Sequence, residues 1–115
     1  MERQDVIFAV MDMIRCVEKC TGLQTLDLTS KEVLGRIAAA QARNEPARVT
    51  EIIKLQQLGT PPTLFSRVSQ LEVDGWIASE VDATDKRVKR LTLTPKARDA
   101  YSRMSAGALK IIDNT

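Results

Sequence analysis

Between residues 49 and 94 the chain carries a short apolar run ending at Leu58-Gly59, and then the pair Thr60-Pro61. Gly75 follows, and after it two alternating runs that flank the polar segment Asp82-Ala83-Thr84-Asp85-Lys86-Arg87. Each mark fixes a local conformation. Glycine tolerates the left-handed turn that side chains resist. Thr60 is a good helix N-cap, and Pro61 suits the first helical turn, where no amide is needed. The spacing predicts a third helix from Val49 through Ile52, Ile53 and Leu55, and a fourth from Thr60 to about Asp74. A hairpin is predicted after Gly75, from strands starting at Trp76 and at Val88. Helix, tight turn, capped helix and hairpin form a helix-turn-helix with a wing.

Elsewhere the pattern is helical. Val6, Val10, Met13, Val17 and Cys20 share one face of a first helix over residues 2–20, widened by Ile7, Met11 and Ile14, with Gly22 as the stop. Thr29-Ser30-Lys31-Glu32 reads as a capping box that opens a second helix to about Arg43. Thr94-Pro95 opens a final helix with Ala97, Tyr101, Met104, Ala108 and Ile111 along one stripe. The expected fold class is mostly α with a small β-hairpin (α+β), a winged helix-turn-helix with N- and C-terminal helices whose apolar faces either the domain's own core or a second subunit could cover. A length of 115 residues predicts a single domain, divided as residues 1–22, 29–94 and 95–112.

On the fourth helix Leu64, Val68 and Leu71 form a buried stripe with Phe65 at its margin. Pro62, Thr63, Ser66, Ser69 and Gln70 face away. That outer face is small, uncharged and rich in hydroxyls, suited to close approach to base edges, where an ordinary solvent face would carry Glu and Lys. Arg67 lies on the flank, with the length to reach a phosphate or a guanine. Backbone amides near Thr60 are expected to hold a phosphate at the helix start. The net charge of +2 is close to neutral, but between Lys86 and Arg103 the charges are Lys86, Arg87, Lys89, Arg90, Lys96, Arg98 and Arg103 against Asp99 alone. Such a local excess can pair with phosphates.

Aromatic residues make up 3% of the chain, which leaves no stacking platform for single strands. The absence of histidine, of a glycine-rich phosphate loop and of a nucleophile with an evident base argues against an enzyme. No metal site or cofactor is expected. Cys16 and Cys20 are too few for a disulfide framework and are expected to pack inertly on the first helix. No apolar run reaches the roughly 18 residues of a membrane span, and the opening MERQD has no signal-peptide order, so a cytoplasmic protein is expected.

The segments Thr63-Leu64-Phe65-Ser66-Arg67-Val68-Ser69-Gln70-Leu71-Glu72-Val73-Asp74-Gly75-Trp76-Ile77 and Asp82-Ala83-Thr84-Asp85-Lys86-Arg87, the latter followed by Leu91-Thr92-Leu93-Thr94-Pro95-Lys96-Ala97, resemble the multiple-antibiotic-resistance regulator (MarR) family of bacterial transcription factors. They are similar to its recognition helix and to its wing. Thr84 and Ala97 stand where that family usually has arginine and often has glycine. The resemblance implies a transcriptional regulator that binds double-stranded DNA as a homodimer on an inverted-repeat operator. It implies that Arg87 enters the minor groove, steadied by Asp85. The expected DNA contacts are Thr60, Pro62, Thr63, Ser66, Arg67, Gln70, Lys86, Arg87, Lys89 and Arg90, with Asp82 and Asp85 supporting the wing. A small-molecule effector is left open. The alternative is a winged helix that binds proteins and never touches DNA.

Overall fold

The computed structural model describes residues 2–115. They divide into two compact units, one of residues 27–97 and one of residues 2–26 with 98–115. The helices are α1 (Val6–Thr21), α2 (Leu28–Ala42), α3 (Val49–Ile52), α4 (Pro61–Val73) and α5 (Pro95–Asp113), with strands β1 (Ile77–Val81) and β2 (Lys89–Leu93) before α5.

In the unit of residues 27–97, the apolar faces of α2 and α4 meet over β2. Val33, Leu34 and Ile37 from α2, Leu64 and Leu71 from α4, and Ile77 and Leu91 from the hairpin are all essentially fully buried. Shielding seven large aliphatic side chains from water is the main force holding the unit together. The strands are antiparallel, with Ile77 opposite Leu93 and Ser79 opposite Leu91. An isolated bridge between Arg48 and Arg90 adds the segment before α3 to the outer edge of β2, through the Leu91 amide donating to the Ala47 carbonyl at 2.8 Å.

Three expectations about the elements are corrected. Helix α2 begins at Leu28, with Asp27 as N-cap, and not at a Thr29 capping box. The Asp27 carboxylate accepts the Ser30 amide at 2.7 Å, and a carboxylate at a helix start also gains from the macrodipole. Helix α3 is a single turn that ends at Ile52. Only Ile52 of its apolar residues is buried, and Ile53 and Leu55 remain half-covered, so packing does not propagate the helix. Gly59 sits at φ +156°, a region open chiefly to glycine but outside the left-handed helical well expected of it. Thr60 caps α4 as expected, its side chain accepting the Thr63 amide.

In the other unit α1 packs against α5. Gly107 is the point of close approach, because a Cβ there would fall 2.6 Å from Met13 Cγ. Gly22 ends α1 at φ +89°, its amide donating to Glu18. No residue of α1 is fully buried, and Cys16 and Cys20 are exposed. That overturns the expectation of buried, inert thiols: the apolar arc of α1 is wider than its own unit covers. Among the described residues no helix is long and apolar enough to cross a membrane.

Candidate nucleic-acid interface

Helix α4 buries Leu64, Val68 and Leu71 and turns Pro62, Thr63, Ser66, Ser69 and Gln70 to solvent. Ser66 and Ser69 have no side-chain partner among the described residues. Thr60 Oγ1 donates to Thr63 Oγ1 at 3.0 Å, which leaves the Thr63 hydroxyl proton free to donate outward. Gln70 donates its amide to Asp74 at 2.9 Å, and its carbonyl oxygen remains free. The helix thus presents hydroxyls and one amide carbonyl, with no charge at its centre.

The helix start does not offer the phosphate cradle expected from sequence. Positions one and two are Pro61 and Pro62, which carry no N–H, and the Thr63 amide is already taken by Thr60 Oγ1 at 3.4 Å. Arg67 is likewise diverted. Its Nε lies 3.0 Å from Asp27 Oδ2, but outside hydrogen-bond geometry, so this buried nitrogen is left without a hydrogen-bond partner.

Two aspartates shape the wing. Asp82 Oδ1 accepts the Thr84 amide at 2.9 Å and the Thr84 hydroxyl at 3.0 Å. Asp85 Oδ1 accepts the Arg87 amide at 3.0 Å and its Nε at 3.2 Å. Each carboxylate therefore captures the N–H two residues on, the local turn that Asp makes readily. The carboxyls of Asp82 and Asp85 are held below the usual range by these backbone hydrogen bonds first, and by the hydroxyl or guanidinium beside them second. At the tip Arg87 keeps 91% of its side chain in solvent while braced by Asp85 at its base.

The other cations divide by task. Lys86 and Lys89 are exposed and without partners among the described residues. Arg90 turns inward: its guanidinium donates to Asp82 Oδ2 and to the Pro46 carbonyl, both at 3.1 Å. That makes it a strut at the foot of the wing. Lys96 stands 3.9 Å over the Trp76 ring, and Arg103 pairs with Asp99 at 2.9 Å in the other unit. The run of positive charge seen in sequence therefore does not act as one patch. Of that run, Arg87 and Lys89 line a cavity together with residues of α4.

Sequence reasoning passed over two residues here. Arg48 faces the wing and contributes to lowering the Asp85 carboxyl. Phe65, placed at the margin of the buried stripe, is 56% exposed. Both line a cavity of about 390 Å³ between α4 and the hairpin, walled by Val49, Val68, Val88 and Leu91. An aromatic residue within an otherwise hydrophilic helix face was the signal available for Phe65; Arg48 had none, because its approach depends on the bridge to Arg90.

No protein-family model matches the sequence, and no curated protein matches it. Solved structures do. The transcriptional regulator Tm0710 from Thermotoga maritima aligns with a TM-score of 0.68 at 22% identity, over 96% of this chain and 72% of its own. MepR of S. aureus, in a structure with DNA, aligns with a TM-score of 0.66 at 21% identity, over 91% of this chain and 76% of its own. The MarR-like transcriptional regulator Tm0816 of Thermotoga maritima gives 0.64 at 17%, over 99% and 80%. The fold is that of the MarR-like winged-helix regulators. Within this MarR-like fold α4 stands at the place of the second helix of the helix-turn-helix, and the segment between β1 and β2 is the wing.

Proposed function

We propose that the protein is a DNA-binding transcriptional regulator of the MarR family, acting as a homodimer on an inverted-repeat operator. The observation that carries this reading is the pairing of α4's exposed, uncharged hydroxyl face with a self-braced cationic wing. Thr63, Ser66 and Gln70 read base edges in the major groove. Arg87 enters the adjacent minor groove, where a narrow A·T-rich tract concentrates negative potential. Lys86 and Lys89 neutralise phosphates beside it. Arg67, Arg90 and Thr60 hold the reading elements in place and do not themselves touch DNA. That MepR has been solved with DNA supports the assignment.

A second copy of the chain covers the apolar surface of the terminal helices. Ile7, Phe8 and Met11 on α1 and Leu109 and Ile112 on α5 are each more than 40% exposed in the single chain, a cluster that a lone protein would not keep in water. The proposed dimer reads two half-sites in successive major grooves, about 34 Å apart on one side of the duplex.

Selection of bound sequences from random duplex DNA tests the reading directly, and the expected product is a palindrome. Failure to bind any duplex at low salt would remove DNA from the account and favour a protein-interaction module. Truncation after Met104 is expected to give monomers by light scattering.

A further inference from the structure

On the DNA-binding reading above, one large exposed side chain in the first half of α4 has no polar chemistry to offer. Phe65 is the fifth residue of the helix and 56% exposed. It lies about 100° around the helix from Ser66 and about 140° from Gln70, on the flank toward the wing, where its ring forms one wall of the cavity shared with Val49, Val68, Val88 and Leu91. Base-reading side chains cluster in the first turns of such a helix. Val73, also exposed, sits at its far end.

The edges of the four bases in the major groove are hydrogen-bond donors and acceptors, with a single apolar exception, the C5 methyl of thymine. An exposed phenyl ring entering that groove has one complementary partner there. We infer that Phe65 reads the C5 methyl of a pyrimidine at one position of each operator half-site, seating it against the ring at the mouth of the apolar cavity. The same contact accepts 5-methylcytosine and binds unmethylated cytosine or uracil more weakly by the value of one methyl contact. Sequence preference at that position then comes from a buried methyl group, in contrast to the hydrogen bonds made by Thr63, Ser66 and Gln70.

The test uses the full chain and the duplex recovered by selection, with each thymine of a half-site replaced in turn by deoxyuridine. That exchange deletes the methyl and leaves base pairing intact. At one position the wild-type protein should lose about fourfold in affinity per methyl, the effect of removing one methyl group from an apolar contact. The variant Phe65→Ala should bind the thymine duplex more weakly and respond to deoxyuridine at that position hardly at all. A cytosine placed there should regain affinity on C5 methylation with the wild type only. Phe65→Ala should keep its melting temperature, because the ring is more than half exposed, so a loss of affinity in this variant is not a loss of fold. Equal affinity for thymine and deoxyuridine duplexes at every position, or undiminished methyl sensitivity in Phe65→Ala, overturns the inference and leaves DNA binding standing. Absence of binding to any duplex overturns both.

Discussion

The Nε of Arg67 lies 3.0 Å from Oδ2 of Asp27, so the arginine of α4 is turned toward the start of α2 and away from the exposed hydroxyl face of its own helix. Asp27 meanwhile caps α2 through its other oxygen, which accepts the Ser30 amide. One carboxylate therefore ties the first helix of this unit to α4.

The two partners should separate on mutation. Asp27→Ala removes a helix cap and is expected to cost about 1 kcal/mol of stability, the usual effect of losing an aspartate N-cap. Arg67→Ala removes only a half-exposed ion pair and should cost less. In duplex titrations across salt concentration, Arg67→Ala should leave the slope of log affinity against log salt unchanged. Arg87→Ala should reduce it by about one. A matching drop with Arg67→Ala would return that side chain to the DNA.

Arg90 makes a different prediction from its neighbour Lys89. Its guanidinium joins Asp82 to the Pro46 carbonyl, two acceptors that a lysine cannot span with the same planar geometry. Arg90→Ala and Arg90→Lys should both lower the melting temperature and reduce the exchange protection of the Asp82 amide, which donates to the Val88 carbonyl across the wing foot at 2.8 Å. Lys89→Ala should leave both unchanged and weaken only DNA binding.

Acid should loosen the same region. Asp27, Asp82 and Asp85 all titrate below the ordinary carboxylate value, chiefly because each accepts a backbone amide that favours the ionised form. A carboxyl whose folded pKa is depressed contributes stability that is fully present above the unfolded pKa, near 4. That contribution is lost as pH falls through the folded value. The protection factors of the wing amides, exchange rates taken relative to the intrinsic rate at each pH, should therefore be flat between about pH 5 and 8 and fall progressively below about pH 4. Asp85→Asn should flatten part of this response, because an amide carbonyl still accepts the Arg87 N–H but does not titrate.

Much of this architecture was legible because its signals are local. Thr60 and Pro61 specify the start of α4 within two residues, and the alternation around Asp82 to Arg87 specifies the hairpin. Local signals also compete, which is why the α2 start moved: Asp27 and Thr29 both offer an oxygen near the same amides, and the carboxylate is the better acceptor there. What the sequence concealed are assignments made in three dimensions. The partners of Arg67 and Arg90 were not legible, because Asp27 and Pro46 lie about forty residues away in the chain. The loss of a phosphate cradle at α4 was open to inspection, since Pro61 and Pro62 cannot donate. The exposure of Cys16 and Cys20 follows from how much of α1 its own unit covers, which periodicity does not reveal.

The approach of α1 to α5 at Gly107 gives a stability test independent of DNA. A Cβ at that position would lie 2.6 Å from Met13 Cγ and 2.7 Å from Sδ, well inside van der Waals contact. Gly107→Ala sets this clash against the roughly 1 kcal/mol that alanine gains over glycine within a helix, and Met13 is flexible enough to yield partly. Gly107→Val adds two methyls that Met13 cannot clear and should destabilise by about 1–3 kcal/mol, the range for overpacked contacts. Shortening the opposing side chain should relieve it, so Met13→Ala with Gly107→Val should be more stable than the sum of the two single losses predicts. A thermal-denaturation double-mutant cycle measures that coupling. Strict additivity would mean that α1 and α5 do not meet at these two residues.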